Sequence, residues 1–261
     1  MQALLNTAIK AARKGGDTAL RYLNRVAELD IRTKARNEFV TQVDLTAETA
    51  IIESIRERYP DHGFLAEESG RQGGGDEYVW IVDPLDGTTN FVHGFPVFSV
   101  SLALQVRGQI EVGVVYDPCR QELFTATRGG GAQLDGRRIR VSGRPGLEGA
   151  LIGTGFPYRS NTVWLDRYLK MLRAVMEETA GVRRPGSAAL DLCYVAAGRL
   201  DAFWEFGLSP WDMAAGTLMI REAGGVVASL TPGADHLETG NVIAGSPKAQ
   251  EALLKLLLPH L

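Results

Sequence analysis

The chain of 261 residues has little cysteine, no long apolar run and no excess of positive charge. Its two cysteines, Cys119 and Cys193, are too few for a disulfide framework or a thiolate metal cage. No apolar stretch approaches the roughly 18 residues that a membrane-spanning helix needs. Because 28 Lys and Arg residues oppose 31 Asp and Glu residues, the net charge is only −3, and no global basic field indicates nucleic-acid binding.

Linkers rich in Pro, Gly or Ser are also missing, and the N-terminal residues are typical of an amphipathic helix and not of a signal peptide. We therefore expect one domain over residues 1–261, which can be divided into subdomains at 1–145 and 146–261. We also expect a cytoplasmic protein with no membrane partner. The composition, 45% hydrophobic and 23% charged, is that of an ordinary globular protein with a substantial core.

Hydrophobic periodicity predicts a mixture of helices and strands. Apolar residues at helical spacing predict one helix from Leu4 to Val26 and another from about Leu45 to just before Tyr59. Runs typical of strands are FLAEES, YVWIVDP, VFSVSLALQV, IEVGVVYDP, ELFTAT, ALIGTG, LDAFWEF and NVIAG. The third, fourth and fifth of these runs are separated by turns too short for parallel crossovers, so we expect antiparallel neighbours. The predicted fold class is α+β, layered, with largely antiparallel sheets.

Further helices are predicted in the second half of the chain. VWLDRYLKMLRAVMEETAG is expected to form a helix that Gly181 closes, and SAALDLCYVAAG to form the next one. Ser209 suits the cap of a third helix, in which Pro210 takes the first position. AQEALLKLLL is predicted to be the last helix, and the tract RQGGGDE (71–77) to be a flexible loop.

The segment WIVDPLDGTTNF, residues 80–91, carries the strongest chemical signal. Its buried strand ends at Asp83, and Asp86 follows three residues later. Hard divalent cations prefer carboxylate and carbonyl oxygens, so the two aspartates and the Leu85 carbonyl can converge on adjacent ions. If Gly87 and Thr88 begin a short helix, their backbone N–H groups would form a concave donor site for phosphate. One loop is thus predicted to hold a metal site and an anion site.

Other carboxylates lie where predicted elements change direction. Glu67 and Glu68 end the strand FLAEES, Asp212 lies in the first turn of a helix, and Asp44 follows the extended run EFVTQV. Each has an ordinary explanation alone, as a solvated pair, a charge favoured by the helix dipole or a helix cap. Several carboxylates beside a loop that is predicted to bind phosphate together indicate metal-assisted phosphoryl hydrolysis.

Three ordered motifs resemble the signatures of the inositol monophosphatase family. DPLDGTTNF resembles the first signature, WDMAAGTLMIREAGG (211–225) the second, and GFLAEES the segment that carries a metal-binding glutamate. The similarity extends from about Asp44 to Gly245, and PGSAALDLCYVAAGRLDAFWEFGLSPWDMAAG is most similar to the bacterial extragenic-suppressor branch. The resemblance implies a layered α/β/α/β/α sandwich, a homodimer, two or three Mg²⁺ ions per site and inhibition by lithium.

The resemblance also implies roles for individual residues. The metal ligands would be Glu67, Asp83, the Leu85 carbonyl, Asp86 and Asp212. Thr88, supported by Asp44, would position the attacking water, and Glu67 would help to activate it. The groups that bind the phosphate and the inositol hydroxyls would be Asp86, Gly87, Thr88, Gly186, Ser187, Ala188, Glu205 and Asp212. The family's N-terminal lysine aligns with Thr33 and not with Lys34, so Lys34 is left out of the catalytic set.

Two other phosphatase chemistries are less well supported. Haloacid-dehalogenase phosphatases use two aspartates separated by one residue, whereas Pro84 and Leu85 separate the pair here. Cys193 and Arg199 have the C-x5-R spacing of cysteine-dependent phosphatases, but Cys193 also fits the buried face of a predicted helix. The histidines His62, His93, His236 and His260 form no zinc or phosphohistidine pattern, and we expect them on loops or in solvent.

The function predicted from the sequence is a Mg²⁺-dependent phosphomonoesterase that hydrolyses myo-inositol 1-phosphate and related inositol monophosphates with a metal-activated water. Fructose bisphosphate, histidinol phosphate and phosphoadenosine phosphate are alternative substrates, since sister families use the same metal core. A role as an antitermination partner of RNA polymerase and ribosomal-RNA transcription factors is also open, because the resemblance to the bacterial branch implies it. Basic segments at 137–144 and at Arg183-Arg184 would carry that interaction, or would simply be solvated.

Overall fold

The computed structural model describes residues 1–23, 25, 31–35, 38–156 and 164–261. Val26, the end of the first predicted helix, and the side chain of Lys34 lie outside the described part. The described helices are α1 (Gln2–Leu23), α2 (Gln42–Arg56), α3 (Thr88–Val92), α4 (Leu165–Glu178), α5 (Ala188–Ala196), α6 (Pro210–Glu222), α7 (His236–Thr239) and α8 (Pro247–Leu257). A 3₁₀ turn at Leu258–His260 follows α8. None of these helices is long and apolar enough to cross a membrane.

The described strands form a two-stranded ribbon and two larger sheets. Their bounds are β1 (Ile31–Ala35), β2 (Glu38–Thr41), β3 (His62–Ala66), β4 (Gly70–Gln72), β5 (Gly75–Asp86), β6 (Ser99–Val106), β7 (Gln109–Asp117), β8 (Glu122–Thr127), β9 (Gly131–Leu134), β10 (Arg137–Arg138), β11 (Leu151–Thr154), β12 (Gly181–Arg183), β13 (Ala202–Glu205), β14 (Val226–Ser229) and β15 (Val242–Gly245). The first sheet has the order β10-β9-β8-β7-β6-β5-β3-β4, and the second has the order β12-β11-β13-β15-β14. The pairs β3–β5, β11–β12 and β11–β13 are parallel, and the other described pairs are antiparallel, as expected for largely antiparallel sheets.

The helices complete five layers around the two sheets. α1 and α2 pack on each other and on β5, while α1 also covers β6 and β7. On the opposite face of this sheet lie α5 and α6, which also contact strands of the second sheet. The outer face of the second sheet is covered by α4 and α8. The resulting α/β/α/β/α order is the one that the family resemblance implied.

The layers are held together by separate apolar clusters. Ile51, Ile55 and Trp80 are among the buried residues between the first helical layer and the first sheet. A larger cluster fills the middle layer, where Leu192 of α5 and Leu218 of α6 are buried. Burial of apolar side chains on both faces of a sheet is the main contribution that keeps such layers together.

The structure corrects several predicted boundaries. The tract 71–77 is not a free loop, because β4 and β5 occupy most of it and Gly73 and Gly74, at φ 44° and 64°, make the turn between them. Helix α4 ends at Glu178, and Gly181 instead begins β12 beside β11. α2 begins at Gln42 and not near Leu45. β14 and α7 were not predicted.

Candidate active site

The first two site carboxylates are delivered by the end of β5. The register between β5 and β6 shifts near the end of β5. Asp83 pairs with Ser101 and Asp86 pairs with Ser99, so the two pairs are three residues apart on β5 and two residues apart on β6. This bulge turns the strand, and the Leu85 N–H donates to Asp83 Oδ1 at 2.9 Å. Gly87 follows with φ 101°, and a Cβ there would lie 3.0 Å from the Val97 carbonyl oxygen. The chain can therefore leave the strand and enter α3 only with glycine at this position.

The third carboxylate comes from the start of α6. Ser209 caps this helix, and Asp212 Oδ2 accepts a hydrogen bond from the Ser209 N–H at 2.6 Å in a capping box. Carboxylate oxygens of Asp83, Asp86 and Asp212 lie within 4.8 Å of one another. The helix cap thus fixes one side of the cluster, while the β5 bulge fixes the other.

Burial and mutual repulsion dominate the electrostatics of this cluster. Burial raises the pKa of Asp83 well above its usual value, and the nearby Glu67, Asp86 and Asp212 charges raise it further. The pKa of Asp212 is raised for the same reasons, and burial raises that of Asp86 to about 6. Three converging carboxylates with raised pKa values suit a divalent cation, whose charge would offset the repulsion and whose preferred ligands are oxygens. The residues present therefore fit a metal of the Mg²⁺ type.

Asp44 reaches the site through Thr88. The Thr88 hydroxyl lies 3.0 Å from Asp44 Oδ1 and 3.0 Å from the Leu85 carbonyl oxygen. The second oxygen of Asp44 accepts hydrogen bonds from the Thr41 N–H at 2.8 Å and the Thr41 hydroxyl at 2.6 Å. Asp44 thus lies inside the first turn of α2 and not before it, because its capping box with Thr41 starts the helix early.

Glu48, one turn further along α2, holds the segment that carries Glu67. Its two carboxylate oxygens accept hydrogen bonds from the backbone N–H groups of Glu68 and Ser69 at 2.9 and 3.0 Å. The Glu67 N–H donates to the Val82 carbonyl oxygen at 3.0 Å. Sequence reasoning missed Glu48, although its spacing of four residues from Asp44 places both on one face of the helix.

The N-terminus of α5 fixes Asp86 from the opposite side. Asp86 Oδ2 accepts hydrogen bonds from the Ser187 hydroxyl at 2.6 Å and from the Ala189 N–H at 2.8 Å. Ser187 also caps α5. These hydrogen bonds lower the pKa of Asp86 against the larger effect of burial. The segment 186–188 therefore positions a carboxylate as well as lining the cavity.

Glu205, at the end of β13, lies against a glycine. A Cβ on Gly155 would lie within 1.8 Å of Glu205 Oε1, so only glycine leaves room for this carboxylate. Burial raises the pKa of Glu205 to about 8, and Asp86 raises it while Arg184 lowers it.

All but one of the predicted site residues line a single cavity of about 420 Å³. The predicted residues on its wall are Glu67, Asp83, Leu85, Asp86, Gly87, Thr88, Gly186, Ser187, Ala188, Glu205 and Asp212. Asp44 lies behind Thr88 and does not reach the wall. The cavity also includes residues that the sequence did not indicate, among them Phe156, Arg184 and Asp191.

Arg184 lines the cavity, although the sequence indicated it only as part of a basic surface pair. Its guanidinium carbon lies 4.8 Å from the centre of the Phe156 ring, and its charge lowers the pKa of Asp86 and Glu205. Arg183 and Arg184 are both exposed, but Arg184 also lines the cavity. A change at Arg184 would therefore disturb the cavity as well as any surface interaction.

The competing cysteine chemistry finds no support. Cys193 is fully buried, and its sulfur lies 3.5 Å from the Met219 sulfur inside the core. Burial raises the pKa of its thiol, which opposes formation of a nucleophilic thiolate. The expectation of loop or solvent positions is wrong for two histidines. His236 is buried, which lowers its pKa, and His62 begins β3 and stacks on Tyr59 and Tyr78.

Comparison with known proteins agrees with the site geometry. A model of the inositol monophosphatase family matches residues 1–260. The chain is 52% identical over 265 residues to the Nus factor SuhB of Pseudomonas aeruginosa, covering 100% of this chain and 98% of that protein. It is 49% identical over 255 residues to the Nus factor SuhB of Escherichia coli, covering 97% and 95%.

Solved structures give the same result. The extragenic suppressor protein suhB of Bartonella henselae superposes with a TM-score of 0.94 at 47% identity, covering 98% of both chains. An IMPase from Thermotoga maritima superposes with a TM-score of 0.89 at 34% identity, covering 100% of this chain and 98% of that one.

We expect Mg²⁺ to raise the unfolding temperature more at pH about 8 than at pH about 6. Burial raises the pKa of Asp86 to about 6 and that of Glu205 to about 8 in the folded protein. In the unfolded chain both groups have pKa values of about 4. Between pH about 6 and about 8 the folded metal-free protein therefore binds more protons than the unfolded chain. The two groups consequently lower its free energy of unfolding as the pH rises through this interval. Mg²⁺ binds ionised carboxylates, so its stabilising effect grows over the same interval. Thermal unfolding with Mg²⁺ or chelator measures this, and an effect that shrinks with rising pH would contradict it.

We expect Glu48→Gln to weaken Mg²⁺ binding by roughly tenfold, the lower end of the usual effect of residues that orient metal ligands. The amide would place an N–H₂ group against one of the two backbone N–H donors that now bind the carboxylate. Calorimetric titration with MgCl₂ gives the affinity. Glu53→Gln, on an exposed position of the same helix, is the matched control. Unchanged affinity in both Glu48→Gln and Glu48→Ala would show that Glu48 does not position Glu67.

Proposed function

The chain belongs to the inositol monophosphatase family, and on that basis we propose that it is a Mg²⁺-dependent phosphomonoesterase acting on myo-inositol 1-phosphate and related inositol monophosphates. One observation carries the proposal: two buried aspartates and the half-buried Asp212, with oxygens within 4.8 Å of one another, share a cavity with the start of α3. A cation site and an anion site side by side are what hydrolysis of a phosphate ester requires.

The proposed metal ligands are Asp83, Asp86 and Asp212, with Glu67 and the Leu85 carbonyl beside them. Two or three Mg²⁺ ions held there would neutralise phosphate charge and acidify a water molecule. The resemblance to the family supports this set, and all five residues line the same cavity.

Backbone and side-chain groups of the protein would bind the phosphate and accept one proton from the attacking water. We assign the phosphate oxygens to the backbone N–H groups of Gly87 and Thr88, which start α3. With its proton donated to Asp44 Oδ1, the Thr88 hydroxyl can accept a hydrogen bond from the attacking water. Glu67 would take the other proton of that water as a general base.

The alcohol part of the substrate would face the remaining wall. Asp86, Glu205 and Asp212, together with segment 186–188, supply the contacts proposed for the inositol hydroxyls. Carboxyl groups accept hydrogen bonds from hydroxyls, and those that are ionised repel a second phosphate, which favours a monophosphate over bisphosphate substrates.

Phosphate release from myo-inositol 1-phosphate tests the proposal. The assay is run with Mg²⁺, with chelator and with lithium, beside fructose 1,6-bisphosphate, histidinol phosphate and phosphoadenosine phosphate. Chelator-sensitive, lithium-inhibited turnover that is fastest on the inositol ester is expected. Faster turnover of another ester would retain the metal chemistry and overturn the substrate assignment.

We expect Asp83→Asn and Asp212→Asn each to lower kcat by about 100-fold or more, because each removes a charged ligand. Both substitutions preserve shape, and the loss of a repelled buried charge should leave the fold stable. Phosphate release and thermal unfolding are measured on the same samples. Asp166→Asn, on exposed α4 surface, is the control. Near-wild-type rates from either site variant would remove the metal assignment.

A second function is favoured by the relatives' names. Two relatives at 52% and 49% identity are called Nus factors, and we infer that this chain also binds the transcription machinery. Arg137 and Arg140 are exposed on the basic segment 137–144, which would meet an acidic partner surface.

Charge reversal at Arg137 and Arg140 should abolish capture of purified RNA polymerase at near-physiological salt while phosphatase activity remains. Arg184 is left unchanged, because it lies in the cavity. Full capture by the double variant would remove this surface from the interaction.

We also infer a homodimer, as the family resemblance implies. Leu165, Leu169 and Met176 are exposed apolar residues on α4 and are suited to a partner surface. Sedimentation equilibrium distinguishes a dimer from a monomer.

A further inference from the structure

Asp191 is a buried carboxyl group on the wall of the active-site cavity that none of the roles above uses. It lies in the first turn of α5, is 1% exposed, and lines the cavity together with Asp86, Glu205 and Arg184. Its own N–H is used in the helix, donating to the Ser187 carbonyl oxygen at 3.1 Å. Its side chain therefore has to be explained by what the cavity holds.

The hydrogen bonding of Asp191 differs from that of the other buried acids. Within the described residues, Asp191 Oδ1 is buried and receives no hydrogen bond. Asp117, by comparison, binds Arg120 through both of its oxygens, and Asp201 accepts the Leu151 N–H at 2.8 Å. Those carboxylates stabilise the fold, whereas a buried carboxyl oxygen without a donor destabilises it.

Neighbouring donors on the cavity wall have other partners. The Thr154 hydroxyl donates to the Trp204 carbonyl oxygen at 2.9 Å, and the Ser187 hydroxyl donates to Asp86. Arg184 lies over Phe156 and acts on Asp191 through its charge. The Thr154 and Ser187 hydroxyls therefore have no proton left for Asp191, and a bound molecule can bring a donor to it.

We propose that Asp191 is a specificity-determining residue that accepts a hydrogen bond from a hydroxyl of the substrate's alcohol part. The inference rests on the proposed phosphomonoesterase function. Because the carboxyl can turn about χ2, either oxygen can meet a donor in the cavity. Asp191 and Glu205 together select a phosphomonoester of a neutral polyol, since hydroxyls can donate to the carboxyl oxygens of both.

The test compares wild type, Asp191→Asn and Asp191→Ala on two substrates with Mg²⁺. For myo-inositol 1-phosphate, Asp191→Ala should raise KM by up to about tenfold, as expected for one lost hydrogen bond, with kcat changed little. For p-nitrophenyl phosphate, which has no hydroxyl on its alcohol part, KM and kcat should stay within about twofold. Asp201→Asn, a buried acid that binds the backbone, is the control and should change substrate preference in neither direction.

Thermal unfolding of the ligand-free proteins separates this role from a structural one. Removing a buried carboxylate that lacks a donor should leave the unfolding temperature of Asp191→Asn equal to or above that of wild type. A lower unfolding temperature together with equal losses on both substrates would overturn the proposal and make Asp191 a structural residue.

If the protein has no phosphatase activity, a binding measurement still tests the role of Asp191. If wild type releases phosphate from neither ester, binding of myo-inositol 1-phosphate is followed by its effect on the unfolding temperature with Mg²⁺. A shift present in wild type and reduced in Asp191→Ala would support the role of Asp191 without catalysis. An equal shift in both proteins, or none in either, would refute it.

Discussion

The convergence of three aspartates, two of them buried and one half-buried, is the constraint on which the active site depends. Carboxylate oxygens of Asp83, Asp86 and Asp212 lie within 4.8 Å of one another, and burial raises the pKa of each. Such a cluster is unfavourable when all three groups are ionised, unless a cation joins them. The surrounding hydrogen bonds hold the carboxylates in place: the Ser209 cap binds Asp212, the Leu85 N–H binds Asp83, and Ser187 binds Asp86.

The layered fold brings these supports together from distant parts of the chain. α2, in an outer layer, reaches the site through Asp44 and Glu48, which hold Thr88 and the backbone after Glu67. α5 and α6 lie between the two sheets, and their N-termini both reach the cavity. Because this middle layer packs on both sheets, we propose that residues 1–261 act as one domain, although each half of the chain contributes its own sheet.

Much of the site could be predicted from the sequence because its parts are local. A buried strand that ends in DPLDG and a helix opened by Ser209-Pro210 fix their carboxylates within a few residues, and the structure brings both into one cavity. Glu48, Arg184 and Asp191 were missed, since their importance depends on segments far away in the chain. Glu48, for example, binds the backbone N–H of Glu68, which lies 20 positions further along the chain. Boundary predictions failed where composition was ambiguous: Gly73 and Gly74 make a tight turn between strands and not a flexible loop.

The central claim is that the aspartate cluster is a divalent-metal site. Crystals soaked in Mn²⁺, an oxygen-seeking ion that can replace Mg²⁺ at such sites, test it most directly through anomalous diffraction. We expect an anomalous peak among the carboxylates of Asp83, Asp86 and Asp212, and its loss in Asp83→Asn. A cavity without such a peak at saturating Mn²⁺, in crystals that retain the described side-chain arrangement, would contradict it.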